Sequence, residues 1–441
     1  MGRFGIMNQA KRLAVTTLGC KVNQYDTDAV VGQFLEAGYT IVDFREEADV
    51  YLINTCTVTN LGDRKSRQMI RRAHRNNPDA KVVVMGCLAQ TTPDEVADLE
   101  GVSLVVGTDG RNRIVEELER LDQGQQRLLV EDIFQVTDFE DLPTIGYSGR
   151  TRAALKIQDG CNQFCTYCRV PFARGRSRSR SRVSVLEQVQ NLVNQGYQEI
   201  VLTGIHLGLY GADLEPALTL ADIAGEIAQT EGLLRLRISS VDPHEITEEL
   251  IDLFAHDPVV CRHVHIPLQS GSDRILERMR RNYSSSDFKA IVAELRARIP
   301  EIAITTDIMV GFPGETEEDF VHTLELTQEV GFSKIHVFQY SKREGTVAAR
   351  LPEQIPAEVK ESRSQRLIEL GNKLSKNFHR SFVGKNVEVL VEQLEQGQAV
   401  GHTDNYLKVS FSVPHGADLV GQIKTVLVQG ATEEGVLGRL I

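Results

Sequence analysis

The feature that most constrains the fold is an alternation of short apolar runs with helical stretches, which occurs twice along the 441-residue chain. From Lys11 to about Leu121, the runs "LAVTTL", "DVYLINT", "KVVVMG" and "SLVVG" are separated by helical stretches such as Asn23–Ala37 and Arg64–Asn76. Continuous apolar runs of this length, separated by helices, are typical of strands buried in a parallel sheet. Residues 1–121 are therefore predicted to form an open parallel α/β domain.

A second alternation begins near residue 151, with the runs "AALKIQ", "EIVLTG", "LRLRISS", "HVHIPLQ", "AITTDIMVG" and "KIHVFQY". Six strands separated by helices predict a partial (β/α)6 barrel over residues 151–375, with its active site on the loops at the strand carboxyl ends. Residues 122–150 lose this periodicity and include the Pro143–Gly149 break, so they are predicted to be a linker. Short alternating strands with glycine turns predict a small all-β barrel over residues 376–441.

Charge and hydropathy limit the classes of protein to which the chain can belong. The net charge of −12 argues against binding nucleic acid through the overall electrostatic field, so any RNA contact must be local. No signal peptide is evident, and no apolar run approaches the ~18 residues of a membrane span. We therefore expect a cytoplasmic protein without a membrane partner, whose seven cysteines serve metal or redox chemistry rather than disulfides.

Three cysteines follow the first three predicted strands. Cys20, Cys56 and Cys87 each come immediately after the carboxyl end of a strand. Ligands bind at this edge of an open α/β sheet, so the three thiols are predicted to converge on one metal site. The alternative is that three buried cysteines fill the core of the domain. Cys261 has no partner at ligand spacing and is interpreted as structural.

Three more cysteines lie in the loop "DGCNQFCTYC", after the first strand of the second alternation. Cys161, Cys165 and Cys168 have C-x3-C-x2-C spacing. A [4Fe–4S] cluster held by three thiolates leaves one iron open, and a small molecule with donor atoms can chelate that iron. The zinc alternative requires a fourth protein ligand, and no nearby histidine has suitable spacing.

The loop resembles that of the radical S-adenosylmethionine (SAM) enzymes, in which SAM chelates the open iron and is cleaved reductively to a 5′-deoxyadenosyl radical. The further motifs "TLGCKVNQYD", "NTCTVTN", "GCLAQ", "RISSVDP", "HIPLQSGSD" and "VGFPGETEEDF" resemble those of the methylthiotransferases. The resemblance implies a second [4Fe–4S] cluster on Cys20, Cys56 and Cys87, carrying an exogenous sulfide. It also implies two SAM molecules, tRNA as substrate, a flavodoxin-type electron donor, an unknown sulfur donor and a C-terminal TRAM barrel related to the OB-fold.

The resemblance also suggests SAM contacts. Tyr167, before the last loop cysteine, corresponds to an aromatic residue beside the SAM adenine; otherwise it is an ordinary loop aromatic. Thr203 and Gly204 end the second barrel strand, where they could approach the SAM amino group. The turn Gly311–Glu315 follows the fifth strand and is expected near the adenine, although such turns are usually only tight connections.

Substrate contacts are predicted from local basic residues. Arg174, Arg176 and Arg178 begin an alternating series that ends at Arg182, and an extended segment of this kind could follow a phosphate backbone. Two other basic clusters, in helices at 64–75 and 278–281, are interpreted as solvated faces. The C-terminal barrel carries six Lys/Arg against seven Asp/Glu from Lys376 onward, so it either grips tRNA or docks on the central domain.

The motif wording most resembles the group that adds a methylthio group to carbon 2 of N6-threonylcarbamoyladenosine, next to the tRNA anticodon. His206 could meet the threonylcarbamoyl group or be a satisfied core histidine. The alternatives are a methylthiotransferase for isopentenyladenosine in tRNA or for a ribosomal-protein aspartate, and a non-catalytic iron–sulfur sensor that binds RNA.

Overall fold

The computed structural model describes residues 10–122, 124–142, 151–414 and 416–441. They divide into two compact units. The first unit contains the described residues of Met1–Tyr147 together with Gly160–Asn162 and Cys168–Arg178, and the remaining residues form the second unit. The predicted break at Pro143–Gly149 lies outside the described residues.

The first unit is built on one parallel sheet. Its strands are β1 (Arg12–Thr17), β2 (Thr40–Val42), β3 (Val50–Thr55), β4 (Lys81–Gly86), β5 (Val102–Val106) and β6 (Arg127–Leu129). Its helices are α1 (Lys21–Glu36), α2 (Asn60–Asn76), α3 (Cys87–Thr91), α4 (Pro93–Ala97), α5 (Ile114–Glu119) and α6 (Val170–Arg174). The strand order is β2-β1-β3-β4-β5-β6, and every pair is parallel.

Both faces of this sheet are buried, which explains its continuous apolar strands. One apolar layer contains Leu52 together with Phe34 of α1, and the other contains Ile53 together with Ile70 of α2. Successive strand residues point to opposite faces, so a strand covered on both sides must be apolar throughout. The predicted parallel α/β domain is confirmed.

Two edge strands were not predicted. β2 and β6 have three residues each, and several of their side chains are exposed. Edge strands of this kind carry no apolar run that a sequence pattern could reveal. β6 falls inside the predicted linker at 122–150, so the sheet of the first unit extends beyond residue 121.

The second unit begins with six parallel strands in chain order. These are β7 (Arg152–Lys156), β10 (Glu199–Thr203), β11 (Arg235–Ile238), β12 (His263–His265), β13 (Ala303–Val310) and β14 (Lys334–Gln339), with two-residue strands β8 (Gln158–Asp159) and β9 (Arg178–Ser179) between the first two. They form the sheets β11-β10-β7 and β12-β13-β14, which parallel bridges join at Leu236–Val260 and Ser240–His265. This confirms the predicted partial (β/α)6 barrel.

Helices connect these strands and precede the final domain. They are α7 (Arg182–Asn194), α8 (Leu220–Ala228), α9 (Glu248–His256), α10 (Asp273–Met279), α11 (Ser285–Arg298), α12 (Glu317–Val330) and α13 (Ala357–Arg380). Thr219, Ser284 and Thr316 begin α8, α11 and α12 with capping boxes, in which the cap and an aspartate three residues later satisfy each other's backbone. Local sequence therefore fixes where these helices start.

The C-terminal strands close into the predicted small β-barrel. They are β15 (Asn386–Glu395), β16 (Gln398–His402), β17 (Lys408–Ser412), β18 (Ile423–Ala431) and β19 (Val436–Leu440), in the order β15-β16-β17-β19-β18. Alternate residues such as Val389, Val409 and Phe411 fill the interior. The predicted boundary at 375/376 falls inside α13.

The C-terminal barrel docks on the central barrel, which was one of the two predicted alternatives. Arg235, the first residue of β11, donates to the carbonyl oxygens of His402 at 3.0 Å and Glu388 at 2.9 Å. The Tyr406 ring stacks on His263, the first residue of β12, with 4.9 Å between ring centroids. These contacts lie at the amino ends of the barrel strands, opposite the end where barrel enzymes place their chemistry.

Among the described residues, no helix is long and apolar enough to cross a membrane.

Candidate functional site

The first three cysteines lie at the carboxyl edge of the N-terminal sheet. Cys20 is the N-cap of α1, three residues after β1 ends. Cys56 follows the last residue of β3, and Cys87 begins α3 directly after β4. β1, β3 and β4 are neighbours in the sheet, although β2 lies between β1 and β3 in the chain, so the three cysteines follow adjacent strands but not the first three.

Glycines allow the strand ends to approach one another. Gly19 has a φ of +112°, and a Cβ there would lie 2.7 Å from Asn23 Nδ2 and 3.1 Å from Cys56 Cβ. Gly86 has a φ of +95°, and a Cβ there would lie 2.2 Å from Asn54 Oδ1. Side chains other than glycine rarely adopt such φ values, and neither position has room for one.

Asn23 joins two of the three thiols. Its amide nitrogen donates to the carbonyl oxygens of Leu18 at 2.7 Å and Thr55 at 3.0 Å, which turns Oδ1 towards the cysteines. The sulfur of Cys20 lies 4.0 Å from Asn23 Oδ1, and the sulfur of Cys87 lies 3.9 Å from the same atom. Two thiols from different strand ends therefore meet at one buried amide oxygen.

Cys56 lies beside these two thiols, since a Cβ on Gly19, the residue before Cys20, would lie 3.1 Å from Cys56 Cβ. Burial raises the pKa of the Cys56 thiol, and the nearby Cys20 raises it further. Burial raises the pKa of the Cys87 thiol to about 12, while the guanidinium of Arg174 opposes this shift. Metal binding requires thiolates, so occupying the site must release protons.

This arrangement fits a cluster better than a filled core. Cys20 is exposed and Cys56 is only partly buried, so these two residues do not serve as core packing. Three converging thiols supply the ligands of a [4Fe–4S] cluster with one iron open. Cys261, by contrast, is buried away from this unit, and burial raises its pKa to about 12, in agreement with a structural role.

Arg174 is buried, although a contact with the RNA backbone was predicted for it. Its side chain is fully buried, and it donates to Asp26 Oδ2 at 2.8 Å and to Asn23 Oδ1 at 2.6 Å. A guanidinium enclosed in this way does not reach an RNA phosphate, so the predicted phosphate contact is wrong for Arg174. Alternation of arginines in the sequence could not reveal that α6 turns this side chain into the protein.

Only one of the three predicted phosphate contacts is exposed. Arg178 is buried, with Nη1 3.4 Å from the Arg176 carbonyl oxygen and 3.5 Å from that of Val136, so that prediction is also wrong. Arg176 is exposed. The basic face of α2 is also exposed at Arg64, Lys65, Arg71 and Arg75, as predicted for a solvated face.

The first unit also contains two cysteines of the C-x3-C-x2-C loop. Cys161 donates its backbone N–H to the Gly175 carbonyl oxygen at 3.0 Å. The sulfur of Cys168 accepts from the backbone N–H of Val170 at 3.4 Å, at the start of α6. Gly160 lets the loop close, since a Cβ there would lie 1.9 Å from the Arg176 carbonyl oxygen.

The remaining loop cysteine belongs to the second unit. The sulfur of Cys165 accepts from Arg281 Nη1 at 3.3 Å, and Arg281 Nη2 donates to Asp242 Oδ1 at 2.7 Å. Thr166 donates through its backbone N–H to the Met279 carbonyl oxygen at 3.1 Å, which ties the loop to the end of α10. Arg281 is largely buried, so the solvated-face interpretation of its cluster is wrong for this residue.

Tyr167 and the predicted glycine-rich turn are brought together. The Tyr167 ring packs edge-on against Phe312, with 6.4 Å between centroids and an interplanar angle of 81°. Phe312 lies inside the Gly311–Glu315 turn. Glu315 itself is buried and accepts from the Gly311 N–H at 2.7 Å and from Arg363 Nη1 at 2.6 Å. Its carboxylate therefore fixes the shape of the turn.

Thr203 and Gly204 lie at the carboxyl end of β10. Thr203 is buried and accepts from the Ile157 N–H at 3.0 Å. Gly204 packs so closely on Gln158 that a Cβ would lie 2.8 Å from the Gln158 Oε1 atom. The same Gln158 oxygen accepts from the backbone N–H of His206 at 2.8 Å. Gln158 thus organises this strand end.

His206 occupies a carboxylate-lined position. Its Nε2 atom lies 2.7 Å from Glu245 Oε1 and 3.6 Å from Asp242 Oδ2, and the side chain is only 9% exposed. Since Asp242 also binds Arg281, His206 is connected through two residues to Cys165. His206 is therefore enclosed by two carboxylates close to the end of β10.

One polar cluster on the barrel strands could not be recognised in the sequence. His265 of β12, Asp307 of β13 and His336 of β14 have ligand atoms within 4.8 Å of one another. His265 Nε2 lies 3.4 Å from Asp307 Oδ1, and its Nδ1 lies 3.0 Å from Thr305 Oγ1. Each residue stood in a predicted strand, but only the strand register brings them together.

Comparisons with known proteins agree with this architecture. The Radical SAM superfamily model matches residues 155–327, and the model of the uncharacterized protein family UPF0004 matches residues 12–107. A solved radical SAM methyltransferase, TsrM from Kitasatospora setae, has a TM-score of 0.59 at 16% identity, covering 94% of this chain and 84% of that chain. At this identity the likeness shows the fold alone. Fold and domain content define a radical SAM enzyme.

The sequence relatives identify the family more closely. The threonylcarbamoyladenosine tRNA methylthiotransferase MtaB of Bacillus subtilis is 45% identical, over 94% of this chain and 93% of its own length. MtaB of Aquifex aeolicus is 39% identical, over 95% of this chain and 100% of its own length. A tRNA-2-methylthio-N(6)-dimethylallyladenosine synthase of Clostridium novyi is 35% identical, over 98% and 97%. The chain belongs to the radical SAM tRNA methylthiotransferase family.

Proposed function

We propose that this chain transfers a methylthio group to carbon 2 of the adenine of N6-threonylcarbamoyladenosine in tRNA. The observation that carries the proposal is the convergence of Cys20 and Cys87 on Asn23 Oδ1, with Cys56 beside them. A radical SAM enzyme needs one three-cysteine loop, and a second three-cysteine site meets the need for a protected sulfur donor. The choice of nucleoside rests on the MtaB-named relatives, which are 37–45% identical.

Two groups of cysteines would hold the two clusters. Cys161, Cys165 and Cys168 would hold the cluster that binds SAM, and Cys20, Cys56 and Cys87 would hold the second cluster. When bound, the clusters supply an electron for SAM cleavage and an open iron for external sulfur. Tyr167 would lie beside the SAM adenine, with Thr203, Gly204 and the Gly311–Glu315 turn as further SAM contacts. A flavodoxin-type donor would supply the electron.

Contact with tRNA would be local because the net charge is −12. Arg176 is exposed shortly after the cysteine loop, and the basic face of α2 follows Cys56. Exposed arginines and lysines bind RNA through its phosphates, and each lost contact lowers the salt dependence of binding. His206 would act behind the site rather than on the substrate, since it is enclosed by Glu245 and Asp242.

The decisive experiment starts with anaerobic reconstitution using iron and sulfide. The protein is then incubated with SAM, dithionite and two tRNA pools, one threonylcarbamoylated and one isopentenylated, and the nucleosides are read by mass spectrometry. We expect a methylthio gain on the threonylcarbamoyl nucleoside alone. A gain on the isopentenyl nucleoside alone overturns the substrate, and no 5′-deoxyadenosine from fully loaded protein overturns the enzyme assignment.

Cysteine variants separate the two sites. Cys165→Ala should abolish both 5′-deoxyadenosine and methylthio product, because the loop then has only two thiolates and cannot hold the cluster that SAM chelates. Cys56→Ala should still cleave SAM but form no methylthio product. Cys261→Ala is the matched control, since this buried cysteine lies outside both groups. Equal loss of 5′-deoxyadenosine in Cys56→Ala and Cys165→Ala would contradict the division.

A further inference from the structure

We propose that Arg174 is a positioning residue for the site of Cys20, Cys56 and Cys87, where its buried positive charge retains the thiolate-bound cluster and the sulfur on its open iron. The inference rests on the proposed function, because it requires a cluster on these cysteines. It replaces the predicted RNA contact of Arg174 with a role inside the protein.

Burial and pairing hold this charge in a fixed place. Arg174 is fully buried and shares Asp26 with a second buried guanidinium, that of Arg111. Arg111 also donates to Glu140 Oε2 at 2.7 Å. A buried charge without compensation costs several kcal/mol, so two guanidinium groups and two carboxylates form a balanced set. This balance holds before any cluster is added.

A cluster changes the balance. A [4Fe–4S] core held by three thiolates carries net negative charge, and a sulfide on the open iron adds more. Arg174 is placed to act in the required direction, since its Nη2 lies 2.6 Å from Asn23 Oδ1, the atom on which the sulfurs of Cys20 and Cys87 converge. The same positive charge favours the reduced, more negative cluster and the bound sulfide.

Asn23 makes the contact specific. Both of its amide protons are used by the carbonyl oxygens of Leu18 and Thr55, so only its Oδ1 faces the sulfurs. Thiols can donate to that oxygen, but thiolates cannot. Arg174 Nη2 donates to the same oxygen at 2.6 Å, and this hydrogen bond holds the guanidinium beside the cysteines whether or not they are deprotonated.

Two substitutions should act in opposite directions. Arg174→Gln removes a positive charge, so the midpoint potential of the N-terminal cluster should fall and sulfide should bind less tightly. Asp26→Asn removes the negative charge that faces Arg174, so the potential should rise. Arg174→Lys keeps the charge but loses the two-pronged geometry, and should restore most of the potential. If Arg174 had only a structural role, the two substitutions would not shift the midpoint potential in opposite directions.

The test uses the full-length Cys165→Ala protein, reconstituted anaerobically, in which the N-terminal cluster alone gives a signal. The potential is read by EPR-monitored redox titration, and sulfide binding by titration with sodium sulfide. For Arg174→Gln we expect at least a tenfold lower reduced-to-oxidised ratio at fixed potential, which is about 59 mV for a one-electron couple. The sulfide concentration at half-saturation should also rise tenfold.

Arg176→Gln is the matched control, because Arg176 is exposed two residues further along the chain. Arg176→Gln should leave the potential and sulfide binding unchanged and should weaken tRNA binding. Arg174→Gln should change the potential and sulfide binding and should leave tRNA binding unchanged, with tRNA binding measured in protein that keeps all its cysteines. Equal potentials in fully loaded Arg174→Gln and Arg176→Gln proteins would overturn the inference. So would shifts of the same sign in Arg174→Gln and Asp26→Asn.

A variant that fails to assemble a cluster also tests the inference. If Arg174→Gln does not assemble a cluster, Asp26→Asn and Arg174→Lys decide the matter, since an unchanged potential in Asp26→Asn contradicts the charge argument. If the parent Cys165→Ala protein binds no cluster, the proposed function fails first, and that result is distinguishable from a failure confined to Arg174.

Discussion

Replacing Gly86 by alanine tests whether close approach of the strand ends creates the N-terminal cysteine site. Gly86 is the last residue of β4 and directly precedes Cys87. Its φ of +95° disfavours any side chain, and a Cβ would lie 2.2 Å from Asn54 Oδ1. Asn54 in turn donates to the Asn23 carbonyl oxygen at 2.8 Å and to Thr27 Oγ1 at 3.0 Å. The new methyl group therefore displaces a residue that supports Asn23.

The magnitude follows from two contributions. Gly86 combines its φ with a ψ of −157°, a conformation that essentially only glycine adopts and that costs an alanine roughly 1–3 kcal/mol. Moving Asn54 breaks two buried hydrogen bonds, and leaving buried polar groups unpaired costs about 1–3 kcal/mol. We expect a total loss of roughly 2–6 kcal/mol, which is large for a single substitution. Because the loss falls at the strand ends, cluster assembly should suffer more than the sheet.

The assay is iron per chain after reconstitution, together with urea unfolding of the cluster-free protein. Gly86→Ala should lose about half of the iron, corresponding to one of two clusters, while SAM cleavage to 5′-deoxyadenosine persists. Gly38→Ala is the matched control, since Gly38 has a φ of +84° and nothing lies within 4 Å of the position that a Cβ would take there. Full iron and equal unfolding midpoints for the two variants would refute the reasoning.

Three further predictions concern the second unit. Burial raises the pKa of Asp319, but hydrogen bonds from Arg274, Thr316 and Ser272 outweigh this and hold it well below its usual range. Asp319→Asn should therefore cost about 1–3 kcal/mol in urea unfolding at pH 7, and the difference should shrink as pH falls below 4. Arg237→Met should cost about 1–3 kcal/mol, measured in the same way, because it removes the guanidinium that hydrogen-bonds buried Glu199 and leaves that carboxylate with the more distant Arg235 and Arg152. Arg281→Gln should lower the midpoint potential of the loop cluster, read by EPR in the Cys56→Ala background, because hydrogen bonds to cluster sulfurs help to set the potential.

Each of these has a control or a contrary outcome. A pH-independent effect of Asp319→Asn would contradict the charge argument, since protonation in the wild type removes the same interaction. Arg262→Met should cost at most about 1 kcal/mol, because its ion pair with Asp404 is 40% exposed on the arginine side. An unchanged loop-cluster potential in Arg281→Gln would show that the contact with Cys165 has no electronic effect.

The arrangement of strands was predictable because burial on both faces leaves a mark in the sequence. β3 and β4 are continuous apolar runs, and β10 of the barrel is buried throughout, whereas β14 is largely exposed. Edge strands such as β6 leave no such mark, which is why β6 was not predicted. The convergence of Cys20, Cys56 and Cys87 was also predictable, since parallel strands end at the same edge.

By itself, the sequence determined the α/β architecture, the terminal barrel and the six candidate ligands, because hydrophobic periodicity and cysteine position are local properties of the chain. Tertiary structure alone decided what the charged side chains do. Arg174 and Arg176 are two residues apart and identical in the sequence, yet one is fully buried beside Asp26 and the other is exposed. Whether an arginine side chain is buried or exposed depends on which distant carboxylates the fold brings to it, and the local sequence does not contain that information.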